Sequence, residues 1–151
     1  VLWQNTPIAQ QRSQYHQDLL YIGHHAGLKE DLTLTENLQA LCRMDGLRVS
    51  DADIRDALNR MGLAKRQYLP ARVLSAGQKR RGLLARTLLR PAKLWILDEP
   101  FNALDINAVA DVQDLLKAHL ASGGLLVLTS HQTPDLGQAA PGFVLNLSVP
   151  R

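Results

Sequence analysis

Apolar positions along this chain follow two rhythms. Leu19-Leu20-Tyr21-Ile22, Leu94-Trp95-Ile96-Leu97 and Leu125-Leu126-Val127-Leu128 are uninterrupted runs of strand length, the pattern expected of strands covered on both faces of a parallel sheet. Elsewhere the spacing is helical. Thr33-Leu34-Thr35-Glu36 has the Thr-x-x-Glu spacing in which a hydroxyl and a carboxylate each satisfy an orphan amide, so a helix is expected there, with Leu38 and Leu41 on one face. A second is expected from Ser50 or Asp51, with Ile54, Leu58 and Met61 in line and Gly62 closing it. Ser75 and Gln78 repeat the capping spacing ahead of a helix over 79–90, whose stripe is Leu83, Leu84, Ala85 and Leu88 and which Pro91 stops. A further helix is expected over 105–120, through Val109, Val112, Leu115 and Leu116.

The strand, helix, strand order across residues 94–128 describes a right-handed parallel crossover, and Phe143-Val144-Leu145-Asn146-Leu147 reads as a final strand. Residues 4–17 are polar and Gln-rich, and residues 33–90 read as a helical insert between the first two strands. The fold class is therefore α/β with a parallel sheet.

Composition narrows the function classes. A chain of 151 residues with 46% hydrophobic and 21% charged residues has the makeup of one ordinary globular domain, which excludes disorder as its whole character. No apolar run approaches the roughly 18 residues needed to cross a bilayer. Cys42 is the only cysteine, so no intrachain disulfide forms and no Cys/His spacing suggests zinc. A reducing compartment is the natural expectation. The net charge of +3 is mild, and Lys65-Arg66 and Lys79-Arg80-Arg81 are short clusters without interleaved aromatics, so direct nucleic-acid binding is not expected.

The candidate chemistry sits at strand ends. In an open parallel sheet, ligands bind beyond the carboxyl ends of the strands, and two of these runs deliver Asp98-Glu99 and Ser130-His131 there. An aspartate in that position can hold hydrated Mg²⁺, and an adjacent glutamate can polarise a water for attack on a phosphoryl group. The alternative is that both merely cap a strand. Ser75 and Gln78 are expected to cap the helix that follows, and a helix N-terminus with a hydroxyl and with Gly77 beside it also suits an anion.

Leu74-Ser75-Ala76-Gly77-Gln78, then Leu94-Trp95-Ile96-Leu97-Asp98-Glu99-Pro100, then Ala103-Leu104-Asp105, then Ser130-His131, in that order, resemble the ATP-binding-cassette (ABC) ATPases over nearly the whole chain. The resemblance implies a P-loop NTPase-like core over 1–32 and 91–151 with a helical signature subdomain over about 33–90. It implies ATP and Mg²⁺ as ligands. Ser75, Gly77 and Gln78 would belong to the signature that meets the γ-phosphate of ATP held by a second nucleotide-binding domain, with Ala76 in place of the commoner glycine. Asp98 would hold Mg²⁺ through water, Glu99 would be the general base, Asp105 would cross the dimer interface and His131 would contact the γ-phosphate. Ungapped placement puts the family's magnesium-sensing glutamine at His24, with His25 beside it. A histidine there would make the contact sensitive to pH near neutrality; a solvated loop histidine is the alternative.

Tyr21-Ile22-Gly23-His24-His25-Ala26-Gly27-Leu28-Lys29 and the stretches LSAGQKRR, LWILDEP and LTSHQ further resemble the ATP-binding subunits of haem-exporter-type transporters in cytochrome c maturation. That resemblance implies a homodimer bound to integral membrane subunits on the cytoplasmic face of the inner membrane. Haem contact is not expected from this chain, which has no Cys-x-x-Cys-His and no paired axial ligands. The sequence contains no Gly-x-x-x-x-Gly-Lys-Ser/Thr, the loop whose amides cradle phosphates. It is therefore expected to be the C-terminal part of a cassette, truncated on its N-terminal side and poor at binding its own Mg-ATP. The ATPase of another small bacterial exporter and a non-catalytic cassette that only completes a partner's site are the alternatives.

Overall fold

The computed structural model describes residues 1–24, 27–131, 133–137 and 142. The expected strand at Phe143 to Leu147, and His25, lie outside the described residues. A hairpin of β1 (Leu2–Trp3) and β2 (Thr6–Pro7) opens the chain, followed by helix α1 (Arg12–Asp18) and strand β3 (Leu19–Ile22). Helices α2 (Leu34–Met44), α3 (Asp51–Arg60), α4 (Ala76–Leu84) and α5 (Arg86–Leu89) come next. Strand β4 (Leu94–Asp98), helix α6 (Ile106–Ala121) and strand β5 (Leu125–Thr129) complete the order.

Strands β3, β4 and β5 form one parallel sheet in that spatial order, with Leu20 opposite Trp95 and Trp95 opposite Leu126. All three apolar runs are thus the strands the pattern predicts. Leu20, Ile22 and Leu97 are fully buried and share one core with Leu34, Leu38, Ile54, Leu58 and Leu84 of the helices and with Val112 and Leu116 of α6. Strand β5 departs from the expectation of two covered faces. Leu125 and Val127 are each 54% exposed, while Leu126 and Leu128 pack against the core.

The caps are formed as their spacings predict. Thr33 with Glu36, Ser50 with Asp53 and Ser75 with Gln78 each make both reciprocal bonds of a capping box. Gly62, at φ 68°, ends the turn after α3, and the Leu63 amide donates to the Leu58 carbonyl at 2.8 Å, closing the helix in a Schellman pattern. Two features differ from the expectation. The helix expected over 79–90 begins at Ala76 and is divided at Ala85: the Thr87 hydroxyl donates to the Leu84 carbonyl at 2.7 Å and the Leu88 amide reaches back only three residues, to Ala85. The polar segment 4–17, for which no element is expected, holds β2 and most of α1, with Gln4 and Asn5 both at positive φ in the tight hairpin turn.

Buried polar groups tie these layers together. Asn37 lies within α2 and is only 3% exposed; its amide donates to the carbonyls of Lys29, Leu32 and Thr33, and its oxygen accepts from the Lys29 amide at 2.8 Å. It fixes the loop that leaves β3. Arg90 donates to the carbonyls of His16 and Leu19, both at 2.6 Å, and together with Arg86 pairs with Asp45 at the end of α2. His119 of α6 stacks on Trp95 with ring centroids 3.8 Å apart and meets the Leu125 carbonyl at 3.1 Å.

Burial pushes the His119 pKa below its ordinary value, outweighing the pull of the Leu125 and Lys93 carbonyls in the other direction. Its folded form therefore resists a proton that its unfolded form accepts. The stability it contributes is full above the free-histidine value of about 6.5 and is lost as pH falls below it. Urea unfolding at pH 7.5 and 5.5 is expected to give a smaller acid-dependent loss for His119→Gln than for the unaltered chain; equal losses would remove His119 as the cause.

Candidate active site

Parallel pairing brings the carboxyl ends of β3, β4 and β5 to one rim of the sheet, where Gly23-His24, Asp98-Glu99 and Thr129-Ser130-His131 emerge. Asp98 lies in register with Thr129. The Thr129 hydroxyl donates to Asp98 Oδ1 and accepts from the Glu99 amide at 3.0 Å, while the Thr129 carbonyl accepts from the same amide at 3.2 Å. Glu99 sits at φ 53°, in the left-handed region that a residue with a side chain enters only when its surroundings hold it there. Its Oε1 lies 3.2 Å from Nε2 of His131, whose side chain is 94% exposed. Asp98, Glu99 and His131 thus form one cluster, joined directly or through Thr129.

The residues at the start of α4 form a second group. Ser75 Oγ accepts from the Gln78 amide at 3.2 Å and Gln78 Oε1 accepts from the Ser75 amide at 3.0 Å, so both have the capping role their spacing predicts. Gly77 packs directly on the Ala103 carbonyl, and a Cβ at 77 would collide with that oxygen. Ala103 is itself left-handed, at φ 61°, in the turn that leads to Asp105. Asp105 caps α6 by accepting from the Ala108 amide at 2.8 Å. The contact between Gly77 and Ala103 is what brings the start of α4 to the turn ahead of α6.

Arg80 connects the two groups. It is 6% exposed and donates Nη1 to the Gly23 carbonyl at 2.7 Å and Nη2 to the Asp98 carbonyl, while its Nε has no partner. Burial works against its charge, and Asp98 and Glu99 favour it. Sequence reasoning passed over Arg80 as part of a basic cluster and gave Thr129 no role. The signal for Thr129 was a hydroxyl residue in register with the last acidic position of the neighbouring strand; none marked Arg80 as buried. His24 is exposed at the end of β3, on a cleft of about 430 Å³ that Tyr21, Gly23, Gly27, Leu83 and Asp98 also line.

This arrangement suits phosphoryl chemistry. Asp98 supplies one carboxylate, and among the described residues no group of three or more His, Cys, Asp or Glu could hold a metal. Such a donor set does not cage a cation, but it fits Mg²⁺ that keeps its water and is completed by phosphate oxygens. Glu99 adds an acceptor for a water proton on the same rim. No helix among the described residues is long and apolar enough to cross a membrane.

Comparison with known proteins gives a consistent picture. A family model described as ABC transporter matches residues 1–102. The chain is 46% identical over 132 residues to the cytochrome c biogenesis ATP-binding export protein CcmA of Nitrosomonas europaea, covering 87% of this chain and 62% of that protein. It is 48% identical over 149 residues to the protein of the same name from Aromatoleum aromaticum, covering 98% of this chain and 69% of the relative. Among solved structures, an ATP-binding cassette dimer in a post-hydrolysis state, bound to ADP and Pi, superposes with a TM-score of 0.70 at 21% identity, over 85% of this chain and 59% of that one.

The bridging role of Arg80 is open to test. Arg80→Met, which fills the volume but leaves both carbonyls without a donor, is expected to cost about 2–4 kcal/mol in urea unfolding, and Arg80→Lys is expected to recover part of it. Unchanged stability in the methionine variant would remove the bridge from the fold's support.

Proposed function

Because the chain belongs to the ABC transporter family, we propose that it is part of the ATP-hydrolysing subunit of a haem-exporter-type transporter of cytochrome c maturation. ATP hydrolysis there would drive haem export or haem release. The observation that carries this proposal is the identity of 46–48% to CcmA proteins, over 87% of the chain for the Nitrosomonas relative and 98% for the Aromatoleum one. The chain spans 62% of the length of the Nitrosomonas relative, so the activity belongs to the whole subunit.

In this proposal Glu99 accepts a proton from the attacking water at a carboxylate oxygen, and His131, in contact with Glu99 Oε1, meets the γ-phosphate. Asp98 holds Mg²⁺ through water; the ion, when bound, neutralises charge on the phosphate oxygens. Ser75, Gly77 and Gln78 present the start of α4 to nucleotide on a second copy of the subunit, and Asp105 lies at that interface. His24 takes the place of the family's glutamine at the end of β3. The helices within 33–90 act as the signature subdomain. The subunit would sit peripherally on the cytoplasmic face of the inner membrane, against integral membrane subunits that choose the cargo. The 151 residues alone contain no phosphate loop and are expected to be inactive.

Two substitutions in the full-length natural protein test the assignment. Glu99→Gln is expected to lower ATP turnover by about 10²-fold or more with nucleotide binding retained. Unchanged turnover would remove Glu99 from the mechanism. His131→Ala is expected to slow hydrolysis without shifting Tm, since the ring is almost wholly exposed. A collapsed thermal transition would assign it a packing role instead.

A further inference from the structure

We infer that Thr129 is a positioning residue for the two acids of the site, holding the Asp98 carboxylate and the Glu99 backbone in their working arrangement through a single hydroxyl. The inference rests on the proposed ATPase function. Hydrogen-bond chemistry fixes its direction. The Glu99 amide can only donate, and an ionised Asp98 carboxylate can only accept. The one hydroxyl proton therefore goes to Asp98 Oδ1, and a hydroxyl lone pair takes the Glu99 N–H at 3.0 Å.

Both acids need such a partner. Asp98 ends β4, where its carboxylate would otherwise turn about the side-chain torsions. Glu99 has left the strand for φ 53°, a left-handed conformation that is unfavourable for a residue with a side chain and must be held by contacts around it. Thr129 supplies two of those contacts, from its carbonyl and its hydroxyl, and the register of β4 with β5 puts it opposite Asp98. Two residues further along, His131 reaches Glu99 Oε1. The end of β5 thus grips Glu99 by its backbone at Thr129 and by its side chain at His131.

The test compares Thr129→Val, which keeps the branched shape and loses the hydroxyl, with Thr129→Ser, which keeps the hydroxyl and loses the branch. The position is exposed and valine suits a strand, so both variants are expected to fold. In the full-length natural protein, Thr129→Val is expected to lower kcat about tenfold with KM for ATP within about twofold, and Thr129→Ser to restore most of the loss. Without nucleotide or metal, hydrogen exchange at the Glu99 amide is expected to quicken several-fold in the valine variant, with Leu97 and Leu126 unchanged. Wild-type kcat and wild-type Glu99 exchange in Thr129→Val would overturn the inference. Equal kcat losses in both variants with a lowered Tm would also overturn it, in favour of packing by the branched side chain. If the unaltered protein hydrolyses no ATP, the proposed function fails, and the exchange measurement still decides whether Thr129 holds Glu99.

Discussion

A single buried guanidinium joins the two halves of this structure. Arg80 leaves the second turn of α4 and donates to carbonyls at the ends of β3 and β4, points that lie far apart in sequence and are neighbours only because the sheet is parallel. A buried cation is costly unless several acceptors surround it, and here two carbonyls and the nearby acids Asp98 and Glu99 provide that setting. The consequence is geometric. The helix whose start carries Ser75, Gly77 and Gln78 is referenced to the same strand end that carries Asp98, so a displacement of one is felt at the other.

Other polar clamps share this character. Asn37 holds the loop after β3 through carbonyls of that loop, and Asp45 collects Arg86 and Arg90 so that α2 and α5 end together. Asn37 and Arg90 also satisfy backbone carbonyls at the margins of helices and strands, which is where polar side chains inside a small domain are most useful. The apolar core fills the volume between sheet and helices, and these clamps join helix ends and loops at its margin.

Local chemistry explains which parts could be read from the sequence. Continuous apolar runs gave away β3, β4 and β5, and the capping spacings marked the starts of α2 and α3 within a residue or so and Ser75 as the cap of α4, although the helix expected from Lys79 begins at Ala76. The hairpin at Gln4-Asn5 lacked the Asn-Gly turn signature and has strands of only two residues each, and the break at Ala85 depends on one hydroxyl taking a helical carbonyl. At the site, Asp98, Glu99 and His131 were legible as polar residues at the ends of apolar runs. Thr129 and Arg80 were not, since their partners lie 30 and 57 positions away and only the folded sheet brings them within reach.

Gly77 presses its backbone against the Ala103 carbonyl, leaving no room for any side chain. Every missense change at a glycine codon introduces a Cβ. Purifying selection at this position would therefore follow from the meeting of two main chains, whatever ligand the helix start serves. An alignment with glycine fixed at 77 would report that steric fact first, just as retention of Ser75 and Gln78 would report the cap they form together.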